Sequence, residues 1–315
     1  MALLTIAAPA ATAGERYALI VTGAHGEESY GPQYAEWRQA ASVALIERLG
    51  FDARAVMTLY EGGDADHAST ASGVRRAIGR LRTRVKSDDL VLVVLLGHGS
   101  FDGAEAKFNL VGPDLSASEW AALLEPLAGT LVFVDASAAS FPFLERLASP
   151  RRIVISATDS VTQRFDTVFP EYFIHALADP DADLDKNGRI SVWEAFNAAS
   201  LGVRRYFTQR GRLATERALM DDNGDGIGRE AGGEGNDGAA AARVYLDLDV
   251  PGAPPTDEAL LLLLQKRAAI QVDLDDLKER RLLLTAADYQ LEFERLIVAF
   301  ARVSREIRAR QGEGR

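Results

Sequence analysis

The sequence predicts an α/β fold built on a mainly parallel, six-stranded sheet with helices on both faces. Short, continuous apolar runs alternate along the chain with longer amphipathic segments that have helical spacing. The apolar runs lack the polar alternation of half-exposed strands, which is typical of parallel strands covered on both faces. Because strands and helices alternate, we expect right-handed crossovers that join the strands into one sheet.

The individual elements follow from these runs and from the residues that end them. The strands are expected at residues 17–22, 53–59, 90–96, 130–134, 153–157 and 244–250. The helices between the first strands are expected at residues 34–49, 69–85 and 120–127. Gly50 suits the left-handed turn that ends a helix, and Ser116 with Glu119 has the spacing of a capping box. In a sheet of this kind, ligands bind beyond the carboxyl ends of the strands.

Composition excludes several classes of function. The chain has 315 residues, a formal net charge of −11 and no cysteine. The negative charge repels phosphate backbones, so we expect no nucleic-acid partner. Without cysteine, the chain has no disulfide, no thiolate zinc site and no cysteine nucleophile. We also expect no membrane span, because no long uninterrupted apolar segment follows the first residues.

The first residues indicate export. Residues 1–13 are small and apolar and end in Ala11-Thr12-Ala13, which is similar to the apolar region and cleavage site of a secretory signal peptide. The positive region that begins such peptides is missing, so a truncated signal peptide and an alanine-rich disordered terminus both remain open. The first alternative predicts a periplasmic or secreted protein, and the second is compatible with the cytoplasm.

Residues 183–194 form an acidic loop that fits the twelve-residue EF-hand template. The matching residues are Asp183, Asp185, Asn187, Gly188, Arg189, Ser191 and Glu194. Oxygen side chains occupy positions one, three and five, glycine permits the turn at position six, and the arginine would offer its carbonyl. The serine would hold a water and the final glutamate would close the coordination sphere. The loop therefore predicts a Ca²⁺ site, and the alternative is an aspartate-rich helix cap without an ion.

A second acidic loop, residues 221–232, repeats only the first half of the template. Asp221, Asn223 and Asp225 occupy positions one, three and five, but Gly232 stands where the closing glutamate belongs. Glu230, Glu234 or Asp237 could supply the missing oxygen ligand. Calcium binding and an ion-free Gly/Asp turn are both open for this loop.

Two chemically useful side chains follow apolar strands. The run 90–96 leads into His98, Gly99 and Ser100, and the run 130–134 leads into Asp135, Ala136 and Ser137. If these parallel strands are close neighbours, His98 and Ser137 lie at the same edge of the sheet. This arrangement would bring a general base to a nucleophile.

With these features, residues 15–180 resemble the legumain-like and caspase-like cysteine peptidases. The resemblance is carried by the strand that ends in His98-Gly99-Ser100, by Val132 to Ala136 ahead of Ser137, and by the early run Val56 to Tyr60. It implies a caspase-like sheet, with His98 and Gly99 in the catalytic motif and peptides or proteins as ligands. The chain departs from the family at the nucleophile, because Ser137 occupies the place of the catalytic cysteine.

Serine at this position leaves three interpretations. Peptidase activity is lost and the domain binds or scaffolds, a native cysteine has been replaced to trap an active peptidase, or Ser137 works as the nucleophile of a serine hydrolase. A serine hydroxyl needs a well-oriented base, so the last alternative requires an acid on His98. Asp102 and Asp135 are candidates for that acid. We therefore expect a calcium-binding, catalytically impaired peptidase-like protein, with an active calcium-dependent endopeptidase as the alternative.

Three further residues are candidates for the substrate pocket. Arg38 looks like the arginine that lines the acidic-residue pocket of legumain-type enzymes, although a solvated helix cation is the alternative. Thr158 and Asp159 follow the expected strand 153–157 and could border a substrate.

The α/β domain is expected over residues 14–250, and residues 251–315 predict a helical hairpin. Apolar residues recur there at steps of three and four, in a group of leucines from Leu260 to Leu264 and again from Tyr289 to Ile307. The hairpin either packs on the core or projects as a coiled coil that binds a partner or forms a homo-oligomer. We favour a coiled-coil arm over an element that contacts substrate.

Overall fold

The computed structural model describes residues 14–231, 233, 237–247 and 257–313. Its strands are β1 (Arg16–Thr22), β2 (Val56–Leu59), β3 (Leu90–Leu96), β4 (Gly99–Phe101), β5 (Ala106–Phe108), β6 (Leu115–Ser116), β7 (Thr130–Asp135), β8 (Arg152–Ser156) and β9 (Leu219–Asp221). Its helices are α1 (Tyr30–Val43), α2 (Ala71–Arg84), α3 (Ala117–Leu124), α4 (Phe141–Leu147), α5 (Phe169–Ala176), α6 (Val192–Gln209), α7 (Glu258–Glu279) and α8 (Ala286–Glu313). The expected signal segment 1–13 lies outside the described residues.

The main sheet has six strands in the order β2-β1-β3-β7-β8-β9. The first five are parallel, and β9 runs antiparallel to β8. A smaller antiparallel sheet, β4-β5-β6, follows β3. The α/β class and the mainly parallel sheet are therefore confirmed.

The prediction of a sixth strand at residues 244–250 is wrong for the part that the structure describes, residues 244–247. Tyr245 makes only an isolated bridge with Ser191, and residues 248–250 lie outside the described part. The sixth place is taken by β9, whose residues pair with Val154 to Ser156. A three-residue strand is too short to give a periodic signal in the sequence. Its position is determined by pairing with a strand that is distant in the chain.

Helix ends agree with the residues that flank them. Ser116 and Glu119 form the expected capping box at the start of α3. Beyond α1, a π-helical turn continues through Ala44–Arg48, and Gly50 then adopts a positive φ of 69°. The turn at Gly50 confirms the predicted end of the first helix.

Alternate residues of the central strands face two separate hydrophobic cores. Leu92 and Val94 of β3 belong to the core beneath α1, α5 and α6. Val91 and Val93 belong to the opposite core, which α2, α3 and α4 cover. Both faces of the sheet are therefore covered, which explains why its strands are apolar throughout.

Helices α7 and α8 run in opposite directions along each other. Arg310 near the end of α8 pairs with Asp257 at the start of α7. Leu260, Leu261 and Leu264 are buried in the same core as α6. These leucines therefore pack on the α/β body.

Among the described residues, no helix combines the length and the apolar character needed to cross a bilayer.

Candidate functional site

Strands β3 and β7 are direct neighbours, so the segments that follow them meet at one edge of the sheet. Leu95 of β3 is in register with Asp135 of β7. Gly99 then approaches Ser137 so closely that a Cβ at Gly99 would lie 2.5 Å from the Ser137 hydroxyl oxygen. The structure therefore brings the His98-Gly99 segment and Ser137 together, and only glycine fits at position 99.

The Ser137 hydroxyl is buried and is hydrogen-bonded to Asp135, not to His98. Ser137 has no exposed surface. Its Oγ donates to the Asp135 Oδ1 atom over 2.6 Å, and its backbone N–H donates to the same oxygen over 3.0 Å. Within the described part of the chain, no hydrogen bond joins this hydroxyl to His98. In this conformation Ser137 is therefore not activated by the histidine.

Asp135, which binds Ser137, is a buried acid with a raised pKa. Its carboxyl group is fully buried, and its Oδ2 atom has no hydrogen-bond partner. Burial raises the pKa of Asp135 to about 7, although the two hydrogen bonds from Ser137 act in the opposite direction. A carboxyl group of this kind is protonated over much of the acidic range and serves as a poor anionic orienter for a histidine.

The acidic partner of His98 is neither Asp102 nor Asp135, the two acids that the sequence suggested. Its Nδ1 atom lies 3.0 Å from the Asp166 Oδ1 atom, and the Tyr30 hydroxyl donates to the other oxygen of the same carboxylate. The Tyr30 ring meets the imidazole edge-on at 4.5 Å between centroids. The buried Tyr34 ring contacts His98 from another side, 5.7 Å away. His98 is therefore held by one carboxylate and two aromatic rings.

The two acids expected near His98 have other partners. Asp102 forms an ion pair with Lys107 over 2.7 Å, which holds the pKa of Asp102 well below its usual range. Asp135 binds Ser137 as described. Both were wrong as orienters of His98, because nearness in sequence did not predict which loop folds over the imidazole.

The three expected pocket residues are not grouped around one cavity. Thr158 is buried, and its Oγ1 accepts the N–H of Ser140 over 3.0 Å, so it does not border an open pocket. Asp159, the next residue, is exposed. The Arg38 guanidinium lies 4.0 Å from the centre of the Tyr60 ring, and burial lowers its pKa. Arg38 therefore has a packing role as a stacked cation on α1.

The acidic loop 183–194 gathers three carboxylates. Asp183, Asp185 and Glu194 each offer an oxygen, and these atoms lie within 4.8 Å of one another. Asp183 and Asp185 are each only 9% exposed and Glu194 is 1% exposed. Burial, and then the charge of Glu194, raise the pKa of Asp185 to about 7. Three acidic groups are thus crowded in a largely buried place, where a divalent cation would stabilise their charged forms.

Other bonds shape the loop around these carboxylates. Asp183 accepts the N–H groups of Asn187 and Gly188, and Gly188 has a positive φ of 83°. Ser191 and Glu194 form a capping box at the start of α6, so the glutamate also has a role as a helix cap. Arg189 extends away and pairs with Asp247 over 2.8 Å.

The second acidic loop has a similar turn but a different surrounding. Asp221 accepts the N–H of Gly226, and the Asp225 N–H donates to the Asn223 side chain. Asp237 approaches from outside the loop and accepts the N–H of Asp222. The described acids of this loop do not converge as those of the first loop do. Gly232, at the position of the missing ligand, lies outside the described residues.

Asp166 and Tyr30 are the residues that sequence reasoning missed. Asp166 lies in an irregular segment between β8 and α5, and Tyr30 begins α1. Neither belongs to a motif, and only the folded chain brings them to His98. A periodic pattern could not have found them.

No protein-family model matches the chain, and no curated protein matches it. A solved structure that is similar to it is the crystal structure of protein GSU0716 from Geobacter sulfurreducens. That protein is 16% identical, with a TM-score of 0.44, and the match covers 66% of this chain and 93% of that chain.

Proposed function

We propose that this chain is a calcium-binding protein of the caspase/legumain-like peptidase type whose catalytic function is impaired at Ser137. The observation that carries the calcium part is the convergence of Asp183, Asp185 and Glu194 within 4.8 Å. Calcium prefers six to eight oxygen ligands, and carboxylates are the strongest of these.

The donor set fits a hard cation better than a transition metal. All three side chains offer oxygen, and the loop adds the Asn187 amide and the Arg189 carbonyl as further candidates from the EF-hand pattern. When bound, the ion would neutralise the crowded carboxylates and tie the loop to α6. The proposed role of calcium is therefore structural.

An ion-free helix cap is the competing interpretation. In that case the capping box of Ser191 and Glu194 would be sufficient, and the loop would need no cation. The convergence of Asp183 and Asp185 on the same glutamate favours the ion, because a capping box alone gains nothing from two more buried acids.

Calorimetric titration with Ca²⁺ tests this part of the proposal. The unmodified chain should release or absorb heat on binding, and the double variant Asp183→Ala, Glu194→Ala should lose one equivalent of bound calcium. Asp181→Ala is the matched control, because Asp181 is an exposed acid just before the loop. An unchanged stoichiometry in the double variant would refute the site.

An exported location is part of this proposal. Extracellular calcium sites often have dissociation constants of about 10⁻⁴–10⁻³ M and are filled at the calcium concentrations outside cells. The apolar segment 1–13 supports export by its composition.

The contacts at the edge of the sheet where the segments after β3 and β7 meet, which we call the rim, support impaired catalysis. The Ser137 hydroxyl donates to Asp135, and His98 is paired with Asp166. We infer that the edge of the sheet binds peptide or protein ligands without cleaving them. Incubation with a library of peptides that contain Asp, Asn, Arg or Lys should give no cleavage by the unmodified chain.

An active hydrolase remains the second candidate, favoured by the close approach of Gly99 to Ser137. It predicts cleavage by the unmodified chain or by the Ser137→Cys variant, and loss of that cleavage in His98→Ala. Cleavage by the unmodified chain that depends on His98 would overturn the proposal of impaired catalysis.

A further inference from the structure

The segment between β8 and α5 crosses over the residues that surround Ser137. We call residues 158–167 the strap. It has no helix or strand of its own, and most of its central residues are exposed. The Phe165 side chain at its outer turn is 77% exposed. Segments with few buried contacts open more readily than the core to which they are attached.

Five hydrogen bonds join the strap to residues on both sides of Ser137, and three of these bonds link Thr158 with Ser140. The Thr167 hydroxyl donates to the Ala136 carbonyl, and the Ala139 N–H donates to the Gln163 carbonyl over 2.9 Å. At the base of the strap, the Ser140 N–H donates to Thr158. These contacts place the strap beside the segment that carries Ser137, and Gly99 approaches Ser137 from β4.

The backbone beneath the strap is strained in this closed arrangement. Ala139 has a φ of 52°, in the left-handed region that residues with a Cβ rarely adopt. Its N–H is the group bound by Gln163. When the strap lifts, this bond is lost and Ala139 is free to relax, so the strain favours opening.

The outer end of the strap is fastened to the rim by one carboxylate. The Asp166 carboxylate accepts a hydrogen bond from the Tyr30 hydroxyl and pairs with His98 Nδ1. The Asp166 side chain is 51% exposed, so water competes for both contacts. This is a fastening that can be released, and its release also frees His98.

We propose that the strap is a lid that hides Ser137 from ligands, that Asp166 is its latch, and that opening exposes residue 137 beside an unpaired His98. The closed state is autoinhibited, because the Asp166 carboxylate both holds the lid and pairs with the His98 imidazole. The inference rests on the rim part of the proposed function and does not depend on calcium binding.

Thiol labelling of a Ser137→Cys variant tests the lid directly. The chain has no cysteine of its own, so the introduced thiol is the only one that iodoacetamide can alkylate. Labelling should be much slower in the folded variant than in the same variant unfolded in guanidinium. Addition of Asp166→Ala should speed labelling of the folded protein about tenfold, equivalent to ~1.4 kcal/mol of lost closure.

Arg164→Ala is the matched control, because Arg164 is an exposed residue of the same strap. In the Ser137→Cys background it should leave the labelling rate within about twofold, as expected for a surface substitution away from the latch. Equal acceleration by Asp166→Ala and Arg164→Ala would overturn the latch. Labelling of the folded Ser137→Cys variant at the rate of the unfolded chain would overturn the lid.

Hydrogen exchange provides a measurement without the thiol. The Ala139 amide, which donates to Gln163, should exchange faster in Tyr30→Phe, and faster still in Asp166→Ala, while the β3 amides remain protected. Unchanged exchange at Ala139 in both variants would contradict the lid. Peptide cleavage is measured separately, so a failed rim function and a failed lid give different results.

Discussion

The Nδ1 atom of His98 lies 3.0 Å from a carboxylate oxygen of Asp166. This approach places an acidic group beside the imidazole. The acid comes from the strap and not from the segment after β7 that carries Ser137. The histidine therefore has an acidic partner, while the hydroxyl at position 137 is bonded to Asp135.

Asp135 should make the stability of the protein depend on pH. Burial raises its pKa to about 7 in the folded protein, whereas an unfolded aspartate titrates near pH 4. The folded state thus keeps a proton that the unfolded chain releases. The contribution of Asp135 to stability is full below about pH 4 and falls as the pH rises to about 7, by up to about 4 kcal/mol.

The Asp135→Asn variant isolates this effect, because asparagine mimics the protonated acid and does not titrate. Urea unfolding should find the variant more stable than the unmodified chain at pH 8, with a smaller difference at pH 4.5. Other titrating groups are shared and cancel in the comparison. A difference in unfolding free energy that is the same at both pH values would exclude a raised pKa at Asp135.

Two leucines of α7 should differ sharply in their importance. Leu264 is 1% exposed in the core shared with α6, whereas Leu262 is 65% exposed. Leu264→Ala should cost about 2–5 kcal/mol of unfolding free energy, and Leu262→Ala less than about 0.5 kcal/mol. Chemical denaturation measures both. Similar small losses would indicate that α7 does not pack on the body.

The sequence predicted the parts of the fold that have a local signal. The apolar runs placed β1, β3, β7 and β8 closely, because a parallel strand buried on both faces is apolar along its length. Strand β9 has three residues and ends in an aspartate, so no pattern distinguished it from a loop. Its place depends on pairing with β8, which only the folded chain determines.

The site was predictable to the same extent. Strand order brought the segments of His98 and Ser137 to one edge, as expected from neighbouring parallel strands. The direction of the Ser137 hydroxyl was not predictable, because two groups could accept its hydrogen bond. Asp135 is close to Ser137 in the chain, and His98 follows the neighbouring strand. Asp166 could not be found either, since it reaches His98 from an irregular segment.

Gly188 should be required for its backbone conformation. Its φ is 83°, and a Cβ there would meet no atom within 4 Å, so the cost of Gly188→Ala is backbone strain alone. We expect a loss of about 1–2 kcal/mol and weaker calcium binding. Gly79→Ala is the control, because Gly79 lies in α2 with open space at its Cβ and alanine should add about 0.5–1 kcal/mol. Thermal unfolding with and without calcium measures both variants, and equal effects would argue against the strained turn.

Glu216 should be important for the start of α5. Its buried carboxylate accepts the N–H of Val168 over 2.9 Å and that of Phe169 over 2.7 Å. Glu216→Ala leaves these donors without partners and should cost about 2–3 kcal/mol in unfolding free energy. Glu171→Ala, on the exposed side of the same helix, should cost less than about 0.5 kcal/mol. Denaturant titration of both variants checks the difference, and a loss at Glu216 no larger than that at Glu171 would contradict this role.

The calcium site is tested most directly by crystals grown in millimolar calcium chloride and measured at a long X-ray wavelength, where calcium scatters anomalously. We expect an anomalous difference peak between the carboxylates of Asp183, Asp185 and Glu194, and none there in crystals of Asp183→Ala, Glu194→Ala. An ordered loop without a peak at these carboxylates would show that the loop does not bind calcium.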